Sequence, residues 1–258
     1  MQTTLAHERA CPDFELTNEV REKMAHAADP HALIPEESVS DLQAVDLSGR
    51  SYLLWKRLGD ILISLAGIML LLVPSLVIVA AIYLDDPGQI LFGQYRVGRD
   101  GKRFKMYKFR TMRMDTPKYM PTMEMTAPDK YITRFGGFLR RTSLDELPQL
   151  LNVLRGDMSL VGPRPLISDE YEIHQMRMRF GVYSIRPGVT GLAQINGRDT
   201  VSPADKVRWD VKYLQQFGPV TDLKILLGTL PRFSGDKSVV EGYNAAGEYS
   251  EQNHDSEV

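Results

Sequence analysis

The chain is poor in cysteine. Its 258 residues hold one, Cys11, so no disulfide can close within the chain and no cysteine-based zinc site can be built. Nothing points to an oxidising compartment. The first residues also lack an unbroken apolar stretch, because Glu8, Arg9, Asp13 and Glu15 interrupt them; a cleaved signal peptide is not expected. No internal repeat is present. Net charge is close to nil, formally −2. The 43% hydrophobic content is ordinary for a chain with a real core and allows one large domain or two small ones.

The small net charge hides a strong segregation. Residues 1–50 carry ten acids against four bases, residues 88–141 carry thirteen bases against four acids, and the final residues are again acidic. A basic middle calls for an anionic ligand or surface. Residues 1–50 are polar, contain Pro12, Pro30 and Pro35, and read as a mobile extension; residues 233–258 read as a disordered acidic tail.

Charge is missing altogether from 61–84, and at about 1.5 Å per residue that run could cross a hydrocarbon core of roughly 30 Å. Lys56 and Arg57 precede it and a basic segment follows it, so both flanks prefer the cytoplasm. A straight span cannot satisfy both. Pro74, which removes a backbone bond and clashes with the carbonyl of Leu70, offers a helix-break-helix over 51–86 that enters and leaves by one face, with the Ser75 hydroxyl satisfying a freed carbonyl. The competing arrangement is a spanning helix with a mild kink.

Residues 87–232 read as a compact domain of helices and short strands, making the whole an α/β membrane-embedded chain. Strands are expected over 89–95 and 104–109, around the Gly98-Arg99-Asp100-Gly101 hairpin signal. Lys108, Arg110 and other bases alternate with Phe104, Tyr107 and Phe109. That pattern suits a solvated face beside anionic lipid, and it also suits nucleic acid. Residues 116–128, rich in Met and Pro, read as a loop; 168–180, 203–217 and 222–230 read as helices, the last two amphipathic.

The stretch from Ser143 to Asn152 is the centre of the chain. It sets Asp145 and Glu146 side by side near a helix start, with Arg140 and Arg141 before them and Gly162-Pro163-Arg164-Pro165 after them. Ser143 and Glu146 have capping-box spacing, and on that reading the acids only cap a helix. Pro148 counts against a cap at Ser143, since it would fall one turn inside; a start nearer Asp145 suits it better. The chemical reading makes one carboxylate a nucleophile toward phosphorus while its neighbour holds a divalent cation. Arg164, between two prolines, and Arg186, in Arg186-Pro187-Gly188, present guanidinium groups from stiffened turns, which suits phosphate or a plain solvated turn. Residues 191–198, with Gln194, Asn196 and Arg198, form a glycine-framed loop suited to a sugar or base edge.

Several of these stretches, in this order, resemble the bacterial sugar transferases, the monotopic phosphoglycosyl transferases. The matching text is Lys56-Arg57 with Asp60, Lys108-Phe109-Arg110-Thr111-Met112, residues 140–152, Gly156-Asp157-Met158-Ser159, Val161 to Pro165, Arg186 to Gly191, Gln194 to Arg198 and Asp222-Leu223-Lys224. The resemblance covers residues 55 to about 230. It implies transfer of a sugar 1-phosphate from a UDP-sugar to undecaprenyl phosphate at the cytoplasmic face of the bacterial inner membrane. It makes Asp145 the nucleophile of a covalent intermediate, has Glu146 help hold Mg²⁺, puts Arg140 near bound phosphate and puts Arg164 and Arg186 in substrate-binding elements. Lys108, Arg110, Gln194, Asn196 and Arg198 fall in its motifs and are carried as substrate-binding candidates. Membrane lipids are implied partners, nucleic acid is not, and a homodimer is left open. Its membrane element is re-entrant, broken at serine followed by proline, whereas this chain reads Pro74-Ser75. A non-catalytic single-pass protein and an enzyme of direct one-step transfer are the competing classes.

Overall fold

The computed structural model describes residues 41–47, 51–116, 128–168, 170–196 and 202–229. Residues 1–40 and 48–50 of the expected extension, most of the Met-rich loop, Arg198 and the acidic tail lie outside them, while residues 41–47 of that extension are described and bury Leu47 in the core. Helix α1, Tyr52–Asp85, contains the whole apolar run in 34 residues. It is the one helix among the described residues that is long and apolar enough to cross a membrane. Pro74 lies inside it, and the helix is continuous there, so the expected division into two helices at Pro74-Ser75 does not occur. A proline removes one rung and leaves the ladder on either side intact, which an otherwise apolar helix former such as this run tolerates.

The helix has two faces. Asp60, Ser64, Ile78 and Ile82 are buried, at helical spacing, while Leu62, Met69, Leu70, Val73 and Val77 stand exposed. Both ends rest on the same domain. Near the start, Lys56 Nζ pairs with Asp222 at 2.6 Å and Asp60 Oδ1 accepts from the Leu160 N–H at 3.1 Å. At the other end, Asp85 Oδ2 accepts from the Phe135 N–H and Asp86 Oδ2 from the Met114 N–H, at 3.0 and 2.9 Å.

Beyond α1 the hairpin forms as expected, with β1 (Leu91–Val97) antiparallel to β2 (Arg103–Phe109) across a turn in which Asp100 and Gly101 take positive φ. Helices α2 (Arg134–Thr142) and α3 (Gln149–Arg155) follow, then β3 (Ser159–Val161), α4 (Tyr171–Arg179), β4 (Gly188–Thr190), the short α5 (Leu192–Ile195), α6 (Pro203–Gln215) and α7 (Pro219–Thr229). The sequence shows no pattern for β3 and β4, three residues each and parallel. Their meeting needs glycine: a Cβ on Gly188 would lie 2.1 Å from the Gly162 nitrogen. Residues 191–198, expected as a loop, begin instead with α5.

Two apolar clusters hold the domain. The larger joins Phe104 and Met106 of β2, Val153 of α3, Val207, Val211 and Leu214 of α6, and Ile225 of α7. Tyr213 and Phe217 belong to it as well. The smaller packs Ile78 and Ile82 of α1 against Phe109 and Leu139, with Leu144 and Leu147 at its edge. Each such side chain withdrawn from water contributes roughly 1.5–3 kcal/mol. Helix α1 is thereby built into the core.

Candidate active site

The acid pair is reached through a left-handed residue. Helix α2 ends at Ser143, with φ 56° and ψ 18°, whose N–H closes on the carbonyls of Leu139 and Arg140. A non-glycine residue in that region costs on the order of 1 kcal/mol. Ser143 makes no side-chain cap, so the capping box suggested by its spacing to Glu146 is not formed. Asp145 and Glu146 lie in a 3-10 turn, Leu144–Glu146, and α3 begins only at Gln149 with Pro148 as its N-cap. There the missing proline N–H leaves no bond unmade. Leu144 and Leu147 sink into the smaller apolar cluster and fix the turn between them. Asp145 is left 5% exposed.

Strand β2 brings a cation to both acids. Lys108 Nζ lies 3.0 Å from Glu146 Oε1 and 3.7 Å from Asp145 Oδ2. Asn152, wholly buried, holds the strand in place: its Oδ1 accepts from the Tyr107 N–H at 3.1 Å and its Nδ2 donates to the Lys105 carbonyl at 2.8 Å. In the sequence Asn152 only closes the central stretch and carries no role of its own. The available signal is an amide residue within a short apolar helix, where its side chain must find partners off the helix.

Arg164 arrives from the loop after β3, with Nη1 3.7 Å from Glu146 Oε1. The prolines at 163 and 165 offer no N–H, and neighbours hold the loop by its carbonyls instead: Gly188 N–H donates to Pro163 O and Val97 N–H to Leu166 O, each at 2.9 Å. Glu146, Arg164, Gln149, Arg96 and Met106 line a small hollow beside the pair.

The remaining candidates spread outward. Arg140, in the last turn of α2, donates from Nε to Thr111 Oγ1 at 2.9 Å. Arg110 is buried and turns to the end of α1, where it bonds the Asp86 carbonyl and lies 3.5 Å from its carboxylate. Arg186 donates from Nε to the Gly156 carbonyl at 2.7 Å, past the far end of α3 from the acids. Burial, with Arg57 and Arg99 nearby, lowers its pKa from the usual guanidinium range. Arg57 bonds the Val153 and Leu154 carbonyls, so two guanidinium groups serve the negative end of α3. Gln194 donates to Val189 O and Asn196 to Leu192 O, both local bonds around α5. The geometry thus gathers Asp145, Glu146, Lys108 and Arg164, and sets Arg110 and Arg186 to other partners.

Among the described residues no group of three or more His, Cys, Asp or Glu side chains is placed to hold a metal. Asp145 and Glu146 do fit Mg²⁺, a hard cation commonly held by one or two carboxylates with substrate phosphates and water completing its shell. An ammonium already lies against both acids, so the position favours positive charge.

The family model described as bacterial sugar transferase matches residues 51–235. The exopolysaccharide production protein ExoY of Rhizobium meliloti is 39% identical over 190 residues, spanning 68% of this chain and 84% of its own. Galactosyl transferase CpsE of Streptococcus agalactiae is 41% identical over 191 residues, 70% of this chain and 42% of the relative. The UDP-glucose:undecaprenyl-phosphate glucose-1-phosphate transferase of Escherichia coli is 41% identical over 201 residues, 74% of this chain and 42% of the relative. The match covers every element described from α1 to α7, and the chain belongs to the bacterial sugar transferase family, as an enzyme of the phosphoglycosyl transferase type.

Proposed function

We propose that the enzyme moves a sugar 1-phosphate from a UDP-sugar to undecaprenyl phosphate through a covalent phosphosugar on Asp145, opening the assembly of a lipid-linked glycan. The observation that carries this reading is the single ammonium of Lys108 against two adjacent, largely buried carboxylates, with Arg164 on the second. Such a setting offsets the charge of the two acids and accepts a diphosphate that bare carboxylates would repel. The name of the Escherichia coli relative points the same way, specifying transfer to undecaprenyl phosphate.

In the first step an Asp145 oxygen attacks the phosphorus that bears the sugar. The bridging P–O bond of the diphosphate breaks, and its electron pair leaves with UMP. In the second, a phosphate oxygen of undecaprenyl phosphate attacks the same phosphorus and Asp145 regains its carboxylate. Glu146, with Asp145, would hold Mg²⁺, which when bound neutralises charge on the diphosphate oxygens. Lys108 draws Asp145 and Glu146 into one orientation, and Arg164 offers a planar fork to the phosphate.

The reaction belongs in this reading to the cytoplasmic face of the inner membrane, with both ends of α1 held at that face. Support comes from its two ends, which hydrogen-bond one domain, whereas a crossing helix would separate them by the hydrocarbon core, roughly 30 Å. The exposed apolar face of α1 then meets lipid.

Incubating the purified enzyme with UDP-glucose, UDP-galactose and UDP-N-acetylhexosamines, without acceptor, tests the chemistry. One donor should release UMP and add a phosphosugar to the protein by intact mass, and Asp145→Asn should do neither. An adduct on that variant would move the nucleophile elsewhere. Transfer to lipid with no adduct at any time would favour the one-step route.

A further inference from the structure

Helix α4 carries two buried polar side chains one turn apart, His174 and Arg177, and both reach the arginine loop from beneath. Arg177, 3% exposed, donates from Nη1 to the Arg164 carbonyl at 2.8 Å. Its Nε and Nη2 lie 2.9 and 2.6 Å from Asp210 Oδ2 on α6, a carboxylate 2% exposed. His174 Nε2 lies 2.7 Å from the Ile167 carbonyl, which can only accept, so this nitrogen bears the proton and Nδ1 accepts from the Tyr183 hydroxyl.

A buried ion pair is a poor device for stability, since apolar side chains of equal volume commonly serve as well or better. What the pair offers and an apolar substitute cannot is a directed donor. Asp210 takes two of the guanidinium nitrogens and so aims the third at the Arg164 carbonyl. Two prolines deprive the loop of backbone donors at that point, and its side chain must hold a fixed place beside Glu146.

We propose that Arg177, aimed by Asp210 and seconded by His174, is a positioning residue that sets the Arg164 guanidinium for the donor's phosphate. The claim rests on the proposed role of Arg164, and its test keeps the two apart. Full-length enzyme in lipid nanodiscs is prepared as wild type, Arg177→Lys, the apolar pair Arg177→Met with Asp210→Leu, Arg164→Ala, and the combination of that pair with Arg164→Ala. Hydrogen exchange, which needs no substrate, should rise about tenfold or more over residues 94–98 and 160–168 in the Arg177 variants and stay unchanged over α3. Protection equal to wild type in that loop would overturn the proposal whatever the kinetics show. With the UDP-sugar that wild type uses, the apolar pair should lower kcat/KM about tenfold or more, and adding it to Arg164→Ala should cost almost nothing further. Losses that multiply would assign the pair to general structure. Should the apolar pair not fold, Arg177→Lys carries both readouts. Should no UDP-sugar react with wild type, the proposed function fails and the exchange result alone decides the loop.

Discussion

Lys108 Nζ lies 3.0 Å from Glu146 Oε1, joining a strand of the hairpin to the turn before α3. Removing this charge leaves two adjacent carboxylates with less to offset their repulsion, in a place where phosphate must also enter. Lys108→Met should therefore lower kcat for UMP release by about a hundredfold, some 2–3 kcal/mol of barrier, with little loss of melting temperature. A rate within threefold of wild type would make Lys108 a bystander.

Asn152→Ala should act on the fold instead. It strips partners from the Tyr107 N–H and the Lys105 carbonyl, and each buried group left unpaired costs about 1–3 kcal/mol. Chemical denaturation should show a loss of roughly 2–4 kcal/mol. A change under 1 kcal/mol would mean that water replaces the amide freely.

The alkaline limb of stability should report Tyr183. Burial pushes its hydroxyl up to about 12, against the pull of Arg177, while an unfolded tyrosine titrates near 10. The folded state thus prefers the neutral form. Its contribution is complete below about pH 10, falls as the unfolded chain ionises first, and is gone above the folded value. Thermal melts from pH 8 to 11.5 should stay level to about 10 and then decline, and Tyr183→Phe should decline less steeply. Equal slopes would leave the effect to other tyrosines, Tyr213 foremost, whose pKa burial and Asp222 also raise.

Cys11, the lone thiol, can report on topology. If both ends of α1 lie at one face, residues before it and the domain after it share that face. A membrane-impermeant maleimide should then leave Cys11 unlabelled in intact spheroplasts and label it on lysis. Labelling before lysis, with the Asp145 domain still protected from added protease, would mean a crossing helix.

The sequence shows the hairpin because Gly98 to Gly101 leaves the chain few other choices, and it shows the long helix because no charge interrupts it. It misleads at Ser143, where spacing alone suggests a cap, because the residue's left-handed backbone is set by how α2 packs on Phe109 and α1. Arg164 and Arg186 look alike in text, each beside proline. They flank two parallel strands at opposite ends, Arg164 after β3 and Arg186 before β4, and one turns to Glu146 while the other turns to Gly156. That division depends on contacts far apart along the chain. Pro74 is read as a break because its local effect is strong, while the support at both ends of α1 comes from residues such as Asp222 and Phe135, well over a hundred and about fifty positions away.

The burial of Ile78 and Ile82 against Leu139 also bears on how this enzyme can be handled. The helix is no detachable leash. A version begun after residue 86 would strip Asp222 of Lys56, bare Phe109 and Leu139 to water, and release the carbonyls of Val153 and Leu154 from Arg57. A water-soluble form is better sought by recolouring than by cutting: polar residues at Leu62, Met69, Leu70, Val73 and Val77, with the inward stripe from Asp60 to Ile82 left as it stands.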